Sequence, residues 1–151
     1  MKDFFLALLL LSTSSYGVEN IRPDKTFMDS GIKIIDIRTQ GEWIETGIVN
    51  GSIPITYYPP RGRPDIDAFI KELKKHIKPN EKFAILCRTG SRTKIAAKEL
   101  EAKGLKVINL EGGIIYLNQS IHPELSIFTN ETHILPTMEF LNSGIKIVDI
   151  R

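Results

Sequence analysis

The chain has 151 residues, of which 42% are hydrophobic, and its 20 basic and 18 acidic side chains leave a formal net charge of +2. This length and composition predict one globular core, and the nearly balanced charge gives no electrostatic reason to expect nucleic-acid binding. One cysteine and three scattered histidines do not form a zinc-ligand pattern. The sequence has no glycine-rich dinucleotide or P-loop motif, so it predicts neither a metal nor another cofactor.

The first 17 residues have the pattern of a secretory signal peptide. A short basic start is followed by an apolar run over residues 4–11, and small residues stand at Ser15 and Gly17. The apolar run is much shorter than the ~20 residues that a membrane-spanning helix needs. We therefore expect cleavage before Val18 and export, with a periplasm as the destination. The alternative is a first helix that is buried in the fold.

Strand-like and helix-like segments alternate through the next hundred residues. The predicted strands are residues 32–37, 53–56, 83–87 and 106–109, and the predicted helices are residues 39–45, 65–77 and 92–103. This alternation is typical of an α/β fold in which helices flank a central parallel sheet. Ligands of such sheets bind at the carboxyl ends of the strands, so functional residues are expected there.

Two segments near those strand ends are candidates for the rim of a pocket. Asp36 and Arg38 end the first predicted strand, and a loop rich in proline and glycine, with Arg61 and Arg63, follows the second. Either loop arginine would help to attract an anion. For Asp36 and Arg38 the alternative is a structural ion pair that holds neighbouring loops together.

Cys87 is the main candidate for a reactive group. It ends the apolar run 83–86 and is followed by a short loop and then by a predicted helix. The exposed N–H groups at the helix start, and the guanidinium groups of Arg88 and Arg92, all favour the nucleophilic thiolate form. The alternative is a small buried hydrophobic residue. A structural cysteine has no need of Gly90 or of two nearby arginines, so the loop predicts an anion-binding cradle around the sulfur.

The loop 87–92 is similar to the six-residue active-site loop of the rhodanese-like sulfurtransferases, in which cysteine is first and arginine last. Three further segments resemble motifs of that family in the same order. They are residues 34–38, ending in Asp-x-Arg, residues 42–47, a Glu-aromatic segment, and residues 110–114, with a Gly-Gly turn. The resemblance covers roughly residues 21–120. The chain departs from it at residues 47–49, where many members have Gly-His-Ile, and near residues 116–117, where a tryptophan is often found.

This resemblance implies a three-layer α/β fold and a two-step sulfur transfer. Thiolate Cys87 would take the sulfane sulfur of a donor such as thiosulfate as a persulfide, and a thiol or cyanide would then accept it. The N–H groups of residues 88–93 would hold the persulfide, and Arg88 and Arg92 would bind the anionic donor. The hydroxyls of Thr89, Ser91 and Thr93 would bond the substrate, or in the last two cases cap the helix.

Two other functions remain open at this stage. Rhodanese-like domains also act as binding or sulfur-carrier modules, so the chain would then carry persulfide to a dedicated protein. A cysteine-dependent phosphatase or arsenate-type enzyme is the nearest chemical competitor. Such enzymes usually have a longer loop between cysteine and arginine, and often a histidine before the cysteine, whereas here four residues intervene and Leu86 precedes.

The end of the chain contains a partial repeat. Residues 134–151 align without gaps on residues 21–38, with 11 identities in 18 positions. The predicted organisation is therefore a signal peptide (1–17), a rhodanese-like domain (18–120) and a tail (121–151) that contains the truncated start of a second repeat. We expect the tail to pack loosely on the domain or to add a strand to another copy, which leaves the oligomeric state open.

Overall fold

A parallel five-stranded sheet forms the centre of the fold in the computed structural model, which describes residues 17–126. Its strands are β1 (Glu19–Ile21), β2 (Ile34–Asp36), β4 (Ile53–Pro54), β5 (Phe83–Leu86) and β6 (Val107–Leu110), in the order β1-β6-β5-β2-β4. The helices are α1 (Lys25–Met28), α2 (Gln40–Thr46), α3 (Ile66–Leu73), α4 (Ser91–Ala102) and α5 (Gly113–Tyr116), and a π-helical turn, Leu117–Ile121, continues α5. The predicted α/β class with a central parallel sheet is confirmed.

Apolar side chains cover both faces of this sheet. Because side chains alternate along a strand, Ile35 and Ile85 face α3 and α4, whereas Ile34 and Leu86 face α1, α5 and the π-helical turn. Continuous apolar strands are expected when a parallel sheet is covered on both sides. The result is the three-layer arrangement that the sequence resemblance implied. Among residues 17–126, no helix is long and apolar enough to cross a membrane.

Several short elements were not predicted from the sequence. The strand β1 and the helix α1 are one example, since residues 19–28 contain no long apolar run. A separate antiparallel pair is another, in which β3 (Ile48–Val49) pairs with β7 (Leu125–Ser126). The predicted tail starts at residue 121, and its described part, up to Ser126, thus packs on the same chain. The predicted signal peptide up to residue 16, and the repeat at 134–151, lie outside the described residues.

Four loops leave the same edge of the sheet. Asp36 is in register with both Leu86 of β5 and Pro54 of β4, and β5 is in register with β6 on its other side. The segments after β2, β4, β5 and β6 therefore start close together in space. These are the segments that begin at residues 37, 55, 87 and 111, and they enclose the candidate site.

Candidate active site

The Cys87 sulfur lies inside the loop that joins β5 to α4. The backbone N–H of Gly90 donates to Sγ at 3.1 Å, and the Thr93 hydroxyl lies 3.7 Å from the same sulfur. Gly90 has a φ of +88°, and a Cβ there would stand 2.9 Å from the Gly112 nitrogen. The loop therefore needs glycine at this position both for its left-handed backbone and for the space. Cys87 has 0% of its surface exposed.

The hydroxyls of the loop do not cap α4. Thr93 is buried and its hydroxyl donates to the Gly90 carbonyl at 3.0 Å, while the exposed Ser91 hydroxyl lies 3.0 Å from that of Thr89. The helix begins without any side-chain hydrogen bond to its first N–H groups. The capping alternative for Ser91 and Thr93 is therefore wrong, because Thr93 bonds backward to a carbonyl rather than to a free N–H.

The Gly-Gly turn at the start of α5 packs against the backbone of the cysteine loop and holds it by hydrogen bonds. The N–H of Ile114 donates to the Cys87 carbonyl at 2.9 Å, and that of Ile115 to the Arg88 carbonyl at 3.2 Å. Gly113 has a φ of +59°, and a Cβ there would lie 2.4 Å from the Cys87 carbonyl oxygen. Sequence reasoning assigned this turn no role, although its position after β6 places it at the same sheet edge as Cys87.

Arg92 is held by a carboxylate that sequence reasoning did not place in the site. Its guanidinium makes two hydrogen bonds to Glu42 of α2, at 2.8 Å and 2.5 Å. Hydrogen bonding to Glu42 is the main cause of the raised Arg92 pKa, and the charge of the Cys87 sulfur adds to it. The guanidinium is therefore fixed by Glu42 within the range at which its charge acts on the cysteine.

Glu42 is itself fixed by the start of its helix. Thr39 and Glu42 form a capping box, in which the Thr39 N–H donates to the carboxylate at 3.0 Å and the Glu42 N–H donates to the Thr39 hydroxyl. Burial alone would raise the Glu42 pKa, but the hydrogen bonds from Arg92 and the Thr39 N–H lower it to about 2. The carboxylate is therefore charged at any physiological pH.

Arg88 lies at the surface of the loop. Its side chain is 48% exposed, and its nearest carboxylate is Glu45 at 3.6 Å, which is itself 62% exposed. An exposed ion pair of this kind is weak in water. Of the two loop arginines, Arg88 is therefore the one whose guanidinium is more available to an incoming anion.

Asp36 and Arg38 form a buried ion pair rather than a rim. The Arg38 guanidinium donates to the Asp36 carboxylate, at 2.7 Å from its nearest nitrogen, and also to Thr46 and to the Gly47 carbonyl. The two side chains are 0% and 1% exposed, so neither faces a solvent-open pocket. The structural alternative accounts for both residues, which tie β2 to the end of α2.

Two tyrosines from the loop after β4 lie beside the site. Tyr57 is buried and donates a hydrogen bond to Glu99 of α4. Tyr58 is half-buried, and its pKa is raised by burial first and then by the charges of Glu99 and Cys87. Sequence reasoning treated this loop only as a source of arginines, and so it missed Tyr58, whose pKa is raised in part by the charge of the sulfur.

A cavity adjoins the loop that carries these tyrosines. It has a volume of about 480 Å³ and is lined by Tyr57, Arg63, Glu99 and Lys103, among others. Arg61 is exposed on the same loop but does not line it. A second cavity, of about 600 Å³, lies beside Gly17 and Gly104, and no cysteine, serine or histidine lines it.

Comparison with known proteins places this arrangement in a family. Residues 24–116 match the sequence profile of the rhodanese-like domain. The chain is 30% identical over 112 residues to thiosulfate sulfurtransferase 18 of Arabidopsis thaliana. This alignment covers 68% of the chain and 81% of that relative. Rhodanese-like domain-containing protein 17 of the same organism is 27% identical over 101 residues, or 64% of each sequence.

Solved structures agree on the fold. A rhodanese-like domain protein from Staphylococcus aureus superposes with a TM-score of 0.56 at 23% identity, covering 74% of this chain and all of that one. At this identity the likeness concerns the fold alone. Together with the match over residues 24–116, it shows that the chain belongs to the rhodanese-like domain family.

Proposed function

We propose that the chain is a sulfurtransferase that carries sulfane sulfur as a persulfide on Cys87. The observation that supports this most directly is the environment of Sγ, which accepts the Gly90 N–H at 3.1 Å. The charge of Arg92, whose pKa the sulfur helps to raise, acts on the same atom. The sulfur therefore has one N–H donor directed at it and a positive charge in its neighbourhood. Donors of this kind favour the thiolate before the reaction and the persulfide anion after it.

The proposed reaction has two balanced steps. In the first, the Cys87 thiolate attacks the outer sulfur of thiosulfate, a new S–S bond forms, and the old S–S bond breaks as its electron pair leaves with sulfite. In the second, cyanide or a thiolate attacks the outer sulfur of the persulfide, and Sγ leaves with the electron pair as a thiolate. No external oxidant or reductant is needed in either step.

The loop residues take different parts in this reaction. Arg88 is exposed, so it suits the first contact with the anionic donor, and the nearby hydroxyls of Thr89 and Ser91 can donate to the same oxygens. Gly90 and Thr93 contact the sulfur, and the Gly90 N–H donates to the charge that develops there. The positive charge of Arg92 acts on the same sulfur. Because Cys87 is fully buried, the donor reaches Sγ only when the side chains around it move aside.

That burial also supports the second candidate, a persulfide carrier for a protein partner. A shielded persulfide would be protected from small molecules and released only when a partner opens the loop. The two functions differ in turnover. An enzyme produces many equivalents of thiocyanate from thiosulfate and cyanide, whereas a carrier accepts one sulfur for each chain and releases it only to its partner.

We also propose that the protein is exported. Residues 1–17 are the predicted leader, and the proposed cleavage before Val18 leaves β1 (Glu19–Ile21) intact in its pairing with β6. The domain that binds the donor would thus be complete after processing. Expression of the full chain in a bacterial host, followed by fractionation and N-terminal sequencing, tests this: a cytoplasmic protein that retains Met1 contradicts export.

A turnover assay tests the proposed activity. The full chain and Cys87→Ser are incubated with thiosulfate and cyanide, and thiocyanate is measured over time. Turnover that is lost in Cys87→Ser supports the enzyme. Sulfur loading without turnover supports the carrier. Hydrolysis of an aryl phosphate without sulfur loading contradicts both and favours the phosphatase-type alternative.

A further inference from the structure

Glu42 and Arg92 are far apart in the sequence but are joined by two hydrogen bonds between the first turns of α2 and α4. The pair is mostly buried, with side-chain exposures of 17% and 27%. The two terminal nitrogens of the Arg92 guanidinium each donate to one oxygen of the Glu42 carboxylate, so that edge of the guanidinium is occupied. Its remaining donors are therefore directed by Glu42 and are not free to turn toward an incoming oxyanion.

Three contacts of the Glu42 carboxylate restrict its own position. It accepts from the Thr39 N–H at 3.0 Å and from the Thr39 hydroxyl at 3.1 Å, in addition to Arg92. The capping box thus fixes the carboxylate, and the carboxylate fixes the guanidinium of Arg92 in the first turn of α4. Gly90 and Thr93, on either side of Arg92 in that turn, contact Sγ at 3.1 Å and 3.7 Å. This chain of contacts runs from the start of α2 to the sulfur.

We infer that Glu42 is a positioning residue for sulfur transfer: through Arg92 it holds the Gly90–Thr93 turn around the Cys87 sulfur, and it leaves recognition of the anionic donor to Arg88. This inference rests on the proposed function and divides the work of the two loop arginines. Arg92 stabilises the sulfur anion in both steps. Arg88, whose side chain is 48% exposed, meets the donor.

The direction in which Glu42→Gln changes the thiolate fraction of Cys87 distinguishes a positioning role of Glu42 from a direct effect of its negative charge. If Glu42 acted only through its negative charge near the sulfur, Glu42→Gln would increase the fraction of Cys87 in the thiolate form. If it positions Arg92, the same substitution releases the guanidinium, and the thiolate fraction falls. Because Cys87 is the only cysteine, the ultraviolet absorbance of its thiolate can be measured by difference against Cys87→Ser.

The chain offers a matched control for this substitution. Glu81 likewise accepts a backbone N–H, that of Lys78 at 2.6 Å, and pairs with a lysine, Lys33 at 3.1 Å. It precedes β5 and so lies at the opposite edge of the sheet from Cys87. Glu81→Gln therefore removes a carboxylate with similar partners while leaving the site untouched.

The experiment compares Glu42→Gln, Glu42→Asp, Arg92→Gln, the double variant Glu42→Gln/Arg92→Gln and the Glu81→Gln control. We expect Glu42→Gln to lower the thiolate fraction at neutral pH and to slow persulfide formation from thiosulfate by roughly tenfold or more, as loss of a charge-assisted hydrogen bond implies. Glu42→Asp should restore part of both, and Glu81→Gln should change neither. In the Arg92→Gln background, Glu42→Gln should cause no further loss.

Two results would overturn the inference. One is an unchanged or larger thiolate fraction in Glu42→Gln, and the other is a further loss in the double variant that equals the loss in the single one. If the wild-type protein forms no persulfide, the proposed sulfurtransferase function fails, but the thiolate measurement still decides the role of Glu42. Thermal unfolding of each variant identifies any that lose the fold, and Glu42→Asp then supplies the comparison.

Discussion

The buried pair between Asp36 and Arg38 provides a prediction about stability that can be worked from its contacts. Asp36 accepts from the Arg38 backbone N–H at 3.1 Å, from Nε at 2.9 Å and from the terminal nitrogen at 2.7 Å. Both side chains are essentially inaccessible to water. The substitution Asp36→Asn keeps the size of the side chain but removes the charge, and it leaves the guanidinium buried without its counter-ion.

The expected cost follows from that unpaired charge. Removing one partner of a buried ion pair typically costs about 3–5 kcal/mol in the free energy of unfolding. For a domain of this size, that corresponds to a fall in the thermal midpoint of roughly 10 °C or more. Since the total stability of a domain is only about 5–15 kcal/mol, the variant would lose a large part of it.

Thermal and chemical unfolding followed by circular dichroism measure this effect. The control is Glu72→Gln, which breaks an exposed pair with Lys75 and should leave the midpoint unchanged within error. Adding Arg38→Met to Asp36→Asn should recover part of the loss, because it removes the unpaired charge. The reasoning is refuted if Asp36→Asn unfolds at the same midpoint as the Glu72→Gln control.

Three further predictions concern the loop and its supports. Gly113→Ala should destabilise the fold and impair sulfur loading much more than Gly104→Ala. Both glycines have a positive φ, but only at Gly113 would a Cβ clash with a backbone carbonyl. Unfolding midpoints and persulfide yields of the two variants test this difference. Because the Glu42 pKa falls from 4.5 to about 2, its contribution to stability is present above pH 4.5 and is lost as the pH falls toward 2. Acid titration of the wild type should therefore show a steeper loss over that range than that of Glu42→Gln, and equal slopes would contradict this. Arg88→Gln should raise KM for thiosulfate with little change in kcat, as steady-state kinetics would show. A fall in kcat with an unchanged KM would mean that Arg88 acts on the sulfur instead.

Local sequence patterns were sufficient to predict the centre of the fold. The apolar runs at Ile34–Asp36 and Phe83–Leu86 predicted buried parallel strands, and the glycine and arginines after Cys87 predicted a loop before a helix. The predicted and observed strand ends differ by up to two residues, although hydrogen bonds between neighbouring strands continue past the observed ends: the Ile37 N–H donates to the Leu86 carbonyl, and the Tyr57 N–H to the Ile37 carbonyl. The exact terminal residue of a strand is therefore the least certain part of such a prediction.

Contacts between distant segments could not be predicted in the same way. Glu42 and Arg92 are 50 positions apart, and nothing local distinguishes Glu42 from other helix-capping acids. The strand β1 (Glu19–Ile21) has polar residues and exists because it pairs with the edge of β6. The support from Gly113 depends on β5 and β6 being neighbours in register, which only the assembled sheet provides.

The most direct test of the central claim is the intact mass of the full chain after treatment with thiosulfate and removal of excess reagent. The account predicts a gain of one sulfur atom per chain, its loss on addition of cyanide, and no gain in Cys87→Ser. An unchanged mass in the folded wild-type protein, or a gain that persists in Cys87→Ser, would contradict it.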